Sequence, residues 1–196
     1  MSKNLRKILK KINGAQFTSS TAREAGLSAF DLQLLLELKF ITRVARGIYL
    51  KTSAKENINE ELVTSLIQLG EPSCICLLSA LYFYGVTDEI PNQTWIYVPY
   101  EKSSRLKSIK LIRKRNCDWK TGISIVDGVR VTTIERTLIE CLTDKKHFTQ
   151  LEAVKLTKIA LSENLTTIEK LLSMSKKLKL DSKVKMVLTM IQESYV

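Results

Sequence analysis

The sequence predicts an α+β protein of two domains in contact, and three observations carry that expectation. Apolar residues recur at helical spacing near the start, break into short alternating runs in the middle, and return to helical spacing over the last third. At 196 residues and 44% hydrophobic content, the chain can bury one small core and one medium core. It holds only 7 Gly and 3 Pro and no Gly/Ser-rich tract, so the connection between domains is expected to be short and ordered.

Charge divides the chain in the same way. Residues 1–55 carry 11 Lys/Arg against 3 Asp/Glu and the rest carries 20 against 17, so most of the net +11 sits in the first quarter. A basic domain over residues 1–55 joined to a nearly neutral one over 56–196 is the pattern of a polyanion-binding head on a separate body. A basic surface serving only solubility is the alternative.

The first domain opens with Leu5, Ile8, Leu9 and Ile12 at helical spacing, with Lys3, Arg6, Lys7, Lys10 and Lys11 at the other positions. This short amphipathic helix is expected to end near Asn13-Gly14. Thr18 can then cap a two-turn helix that ends at Gly26, the residue best able to take a left-handed turn. Ser28 caps a third helix running to about Leu38, and Asp31 at its N3 position makes a variant capping box. Helix, glycine turn, helix is helix-turn-helix spacing. Phe40–Val44 and Gly47–Lys51 follow as β-prone runs separated by Ala45-Arg46, which makes a small hairpin and predicts a winged helix-turn-helix.

In that arrangement Leu27, Leu32, Leu35 and Leu38 face the core, while Ala29, Phe30, Gln33, Leu34 and Glu37 lie on or near the exposed side. The N-terminal part of the second helix of such a pair enters the major groove, so Ser28, Ala29, Phe30 and Gln33 are the base-facing candidates. Gln33 can read adenine through two hydrogen bonds, and Phe30 can meet a thymine methyl. Phosphate contacts are expected from Thr18 or Ser20 near a helix N-terminus and from Lys39, Arg43 and Arg46 around the hairpin. The helix from Ser28 to Leu38 carries no Lys or Arg and two acids, Asp31 and Glu37, so affinity must lean on Arg43, Arg46 and the first helix. The alternative is a protein-binding surface made by Phe30 and Leu34.

Beyond the hairpin, Glu60–Leu69 reads as a helix closed by Gly70, and the apolar run Ser73–Tyr84 as a second, stopped by Gly85. Thr94–Pro99, Ser108–Ile112, Ile123–Val126 and Val129–Thr133 read as strands, the last two joined by an Asp127-Gly128 turn. Helical patterning returns over Ile134–Leu142 and in segments near Phe148–Leu161, Thr166–Lys177 and Ser182–Tyr195. The expected body is therefore a small mixed sheet with helices, followed by a helical C-terminal third.

No apolar run approaches the ~20 residues that span a bilayer, and the start shows no signal-peptide core, so a soluble cytoplasmic protein is expected. Cys74, Cys76, Cys117 and Cys141 offer only one close pair, C-x-C, and His147 is the single histidine. Buried thiols are expected here, with no metal and no cofactor. A nucleotidyltransferase would need Gly-Ser followed by paired aspartates to hold two metals, and the sequence has no such motif. Asp118-Trp-Lys120, with Asp88 or Glu89 upstream, is a faint echo of metal-dependent nucleases. His147, beside Lys145 and Lys146, reads as a surface residue, and no nucleophile and base pair up, so no enzyme is expected. Arg136 at a helix start reads as a structural tie more than as an anion site. The stretch from Glu101 to Arg115 places Lys102, Arg105, Lys107, Lys110, Arg113, Lys114 and Arg115 against one acid, which is either a second nucleic-acid surface or a solvated strand face.

A series of motifs in order resembles the AbiEi family, the antitoxins of type IV toxin-antitoxin systems. It runs from Phe17-Thr18 through Ala25-Gly26-Leu27-Ser28 to Arg43-x-x-Arg46-Gly47-x-Tyr49 and Ser79-Ala80-Leu81 with Gly85. Trp95–Pro99 and Glu135-Arg136-Thr137-Leu138 complete it, covering roughly residues 1–145. The resemblance implies a winged-helix head that binds operator repeats in double-stranded DNA and represses its own operon. It also implies a body that neutralises a nucleotidyltransferase-like toxin without needing a stable complex. Where the family carries an Asp after Arg-Thr-Leu this chain has Glu140, and the family's usually basic recognition helix is not basic here. A regulator with no toxin partner stays open.

Overall fold

The computed structural model describes residues 2–54, 59–115 and 118–193. It is a mixed α+β chain that divides into two compact units, Met1–Glu71 and Pro72–Val196. The boundary expected after residue 55 therefore falls later, because the helix after the hairpin packs with the head.

In the first unit, α1 (Ser2–Lys11) buries Leu5 and Leu9, with Ile12 just beyond it, and turns Arg6, Lys7, Lys10 and Lys11 outward. The Arg6 guanidinium lies 3.9 Å over the Phe40 ring, a cation–π contact on an exposed rim. A three-residue strand follows, β1 (Gln16–Thr18), which is too short for any alternation to register in the sequence. Thr18 caps α2 (Ser19–Glu24), its hydroxyl accepting the Thr21 amide at 3.1 Å. After α2, Gly26 sits at φ +92°, with its amide on the Arg23 carbonyl and the Leu27 amide on that of Ala22, both at 2.9 Å. This paired left-handed cap drives Leu27 into the core.

Ser28 then caps α3 (Ala29–Glu37) through the full reciprocal box with Asp31. The same left-handed cap ends α3, here without a glycine: Lys39 takes φ +56° while its amide and that of Phe40 bond Leu36 and Leu35 at 3.0 and 2.9 Å. Leu38 is the C-cap and is 43% exposed rather than core-facing, since the helix ends before its turn comes round. Two antiparallel strands follow, β2 (Ile41–Ala45) and β3 (Ile48–Lys51), and β1 adds to the far side of β3 to give the sheet order β1-β3-β2. Their turn is Arg46-Gly47, one residue later than expected, because only Gly47 accepts the required φ of +73°. A register shift between Arg43 and Ala45 absorbs the displacement. Finally α4 (Glu60–Leu69) is tied to β1 by the Gln16 side chain, which donates to the Glu60 carbonyl at 3.0 Å and accepts from the Thr64 hydroxyl at 3.0 Å.

The second unit is built on a five-stranded sheet. In chain order its strands are β4 (Cys74–Ile75), β5 (Thr94–Pro99), β6 (Ile109–Lys114), β7 (Ile123–Val126) and β8 (Val129–Thr132), and in space they run β6-β5-β4-β8-β7. Parallel pairs β5–β6 and β4–β8 mix with antiparallel pairs β4–β5 and β7–β8, so the sheet is mixed as expected. The apolar run from Ser73 is not one helix. It supplies the central strand β4 and then α5 (Leu77–Phe83), because a continuous buried run carries no period that separates strand from helix. Four helices complete the unit: α6 (Ile134–Thr143), α7 (Gln150–Ser162), α8 (Ile168–Lys177) and α9 (Asp181–Glu193). Residues Ile134 and Arg136 to Leu142 are all buried, so α6 is the central helix, packed on α5, α7, α8 and α9. No helix among the described residues is long and apolar enough to cross a membrane.

Candidate nucleic-acid interface

Burial of Leu32 and Leu35 fixes the rotation of α3 about its axis. Ser28, Ala29, Phe30, Gln33 and Glu37 therefore face solvent, and Phe30 is 68% exposed. A partner that covers the exposed two thirds of this Phe side chain gains about 1–2 kcal/mol. Leu34 is half-buried against the core, which leaves Phe30 as the most exposed large apolar side chain of α3. Gln33 holds its amide 3.4 Å from the Glu37 carboxylate, a long contact that is easily exchanged for another partner. The Ser28 hydroxyl is already committed, donating to Asp31 at 2.6 Å and accepting from its amide. These bonds from the Ser28 side chain and amide hold the Asp31 carboxyl below its ordinary value, so α3 keeps a negative charge at its N-terminal end.

The phosphate candidates fall into two groups. Thr18 is half-buried, its hydroxyl 2.6 Å from that of exposed Ser20 and 3.0 Å from that of Thr21, so it acts first as a cap. Lys39, Arg43 and Arg46 are all exposed, with Lys39 at the end of α3 and the two arginines on the hairpin. Arg43 makes one long bond to the Ala45 carbonyl, at 3.4 Å. The hairpin is not free to swing: the Ser19 amide and hydroxyl both donate to the Gly47 carbonyl, at 2.9 and 3.2 Å, and Phe17 stacks on Tyr49 with centroids 5.7 Å apart. Thr18, Ser19 and Arg46-Gly47 are thus brought together where α2 begins. Ser19 was not among the sequence candidates, since its tie to Gly47 joins residues 28 apart in the chain. Arg23, exposed in the last turn of α2, was also missed.

The basic stretch of the second unit is split by strand alternation. Lys110 and Lys114 point to the helix-covered side, with their ammonium groups 3.5 Å over the Trp95 ring and 4.6 Å over the Tyr97 ring. Lys114 also lies 3.5 Å from Glu140. Arg113 donates to the Lys102 carbonyl at 3.2 Å, and Arg115 lies 4.4 Å over the Tyr100 ring. Arg105 and Lys107 are exposed in the loop before β6, and Lys102 is half-buried. The seven cations therefore do not form one face.

Groups considered for catalysis have structural occupations. Asp118 accepts the amides of Lys120 and Thr121 at 2.8 and 3.2 Å, and these bonds together with the Thr121 side chain hold it at about 2. Among the described residues no three His, Cys, Asp or Glu side chains gather as a metal set. Cys74, Cys76 and Cys141 are buried thiols, the last two pushed well up by burial, and Cys117 lies outside the described residues. Arg136 is 3% exposed and staples a loop to α6, donating to the Asp118 and Thr121 carbonyls at 2.8 and 2.6 Å with Glu140 3.4 Å away. His147 is not the surface residue it was expected to be. Its Nδ1 lies 2.9 Å from Asp144, and its half-buried ring meets Trp95 edge-on at 5.0 Å, because the turn after α6 folds back over β5.

These observations define an α+β protein. No family model matches the chain, and no curated protein matches it. Among solved structures it is similar to the RV2827C protein from Mycobacterium tuberculosis, with 15% identity and a TM-score of 0.55, covering 89% of this chain and 70% of that one. At that identity the likeness is one of fold alone.

Proposed function

We propose that the first unit is a winged helix-turn-helix that binds double-stranded DNA, and that the protein is a cytoplasmic transcriptional repressor of the AbiEi antitoxin kind. The observation that carries this reading is the solvent face of α3, with Phe30 and Gln33 bare and the exposed arginines of the β2–β3 hairpin on the same small unit. The element order α1-β1-α2-α3-β2-β3 and the sheet order β1-β3-β2 support it, since they give a second helix to enter a groove and a hairpin to flank it. On this reading Ala29, Phe30 and Gln33 meet base edges from α3, while Lys39, Arg43 and Arg46 meet phosphates. Ser28, whose hydroxyl is spent on its cap, contributes through position. The partner toxin, a nucleotidyltransferase-like protein, follows from the motif resemblance. Rescue of growth when this chain is expressed with the product of a neighbouring gene of that type tests it.

The DNA reading is tested by a gel shift with the duplex upstream of the protein's own gene. A sequence-dependent shift at moderate salt is expected. One observation favours a second reading, an adaptor that binds protein: Phe30 stands out beside Asp31 and Glu37 on a helix with no cation. An adaptor would give no shift, and Phe30→Ala would abolish capture of its protein partner.

A further inference from the structure

We infer that the second unit holds a phosphate-binding cleft of its own, beside β6, independent of the duplex reading for the first unit. A cavity of about 650 Å³ opens between β6 and the turn that follows α6. Its lining includes Lys110, Lys114 and Lys146, together with Tyr100 and His147, against a single carboxylate, Asp144; Arg113 borders it too, with its guanidinium on the Lys102 carbonyl. That carboxylate is spent locally: it accepts the Lys146 and His147 amides at 2.8 and 3.1 Å and sits 2.9 Å from the His147 ring nitrogen. A further acid beside Lys114, Glu140, turns Oε1 to Lys114 at 3.5 Å and to Arg136 at 3.4 Å and keeps Oε2 buried. The cleft is therefore positive, with its lining acid Asp144 already engaged.

Lysines on an edge strand commonly serve only to repel other sheet edges, and β6 is an edge. Guards of that kind project into water. Lys110 and Lys114 instead fold back onto the Trp95 and Tyr97 rings, which holds both ammonium groups at fixed places along one wall. Pre-placed ammonium groups beside an imidazole suit a phosphate group, with lysine supplying point charges. The chemistry shared by all candidate ligands is a phosphate, carried either by a free nucleotide or by a single nucleic-acid strand.

The test uses the full chain carrying Trp119→Phe, so that emission reports only Trp95, whose ring lies under Lys110. Pyrophosphate, a nucleoside triphosphate and a short oligothymidylate are titrated separately at about 0.1 M salt. Saturable quenching or enhancement is expected with at least one of them. Response to the triphosphate alone assigns a nucleotide, and response to the strand alone assigns nucleic acid. Lys110→Gln and Lys146→Gln together should weaken the response about 10-fold or more. Lys146→Glu, on an exposed turn outside the sheet, should do so alone. No saturable response to any probe, or affinity unchanged in both variants, overturns the inference. Duplex binding by the first unit should be unaltered in the same variants, which separates this outcome from the fate of the repressor reading.

Discussion

Replacing Lys39 by glycine should strengthen the fold and, on the proposed reading, weaken duplex binding at once. Lys39 ends α3 at φ +56°, a conformation that costs an L-residue about 1–2 kcal/mol relative to the right-handed region. Glycine removes that cost but loses about 0.5–1 kcal/mol more chain entropy on folding. The net gain is therefore about 0–1.5 kcal/mol, since the amides of residues 39 and 40 keep their bonds to Leu36 and Leu35. For a unit of this size that corresponds to an increase of up to roughly 12 °C in melting temperature, read from the transition of the first unit by calorimetry. The exposed ammonium meanwhile disappears. If it meets a phosphate, the slope of log K against log salt should fall by about 0.9. A variant that melts lower would refute the left-handed cap, and one with unchanged salt dependence would refute the phosphate role.

Three further outcomes follow from the same geometry. Gly122→Ala should destabilise the second unit by about 2–4 kcal/mol in urea unfolding, because φ is +65° and an added Cβ would lie 2.9 Å from the Cβ of Arg136. Asp118, depressed from 3.8 to about 2, contributes stability that is complete above about pH 4 and lost as pH falls toward 2. Asp118→Asn should flatten that part of a stability–pH curve, and an unchanged curve would show that its amide bonds are not formed in solution. Gln33→Ala should change the ranking among operator sequences by about 1–3 kcal/mol at one base pair and leave salt dependence intact, as a panel of single-base variants would reveal.

Legibility in the sequence followed how local each cause is. The caps at Thr18, Gly26 and Ser28–Asp31 were legible because each is settled within a few residues by side-chain chemistry. The strands β5, β7 and β8 and the Asp127-Gly128 turn were legible for the same reason. Where long-range pairing decides, the pattern was silent. β1 exists because β3 accepts it, and β4 because Ile75 fits between Ile96 of β5 and Val131 of β8. The hairpin turn was misplaced by one residue because the bulge near Arg43 has no composition signature. In the candidate interface, the outward positions of Phe30 and Gln33 followed from helical period, whereas the tie from Ser19 to Gly47 is set by pairing between residues far apart in the chain. His147 looked exposed because its neighbours are lysines, yet a turn in space, not in sequence, puts it on Trp95.

The most direct measurement compares the parent chain with the Arg43→Ala/Arg46→Ala double variant on the duplex upstream of its own gene, by anisotropy across a salt series. Removing both guanidinium groups from the hairpin should lower the slope of log K against log salt by about 2 and weaken binding about 10- to 100-fold near 0.1 M salt. Equal affinity and equal slope for the two proteins would contradict a duplex gripped by this hairpin.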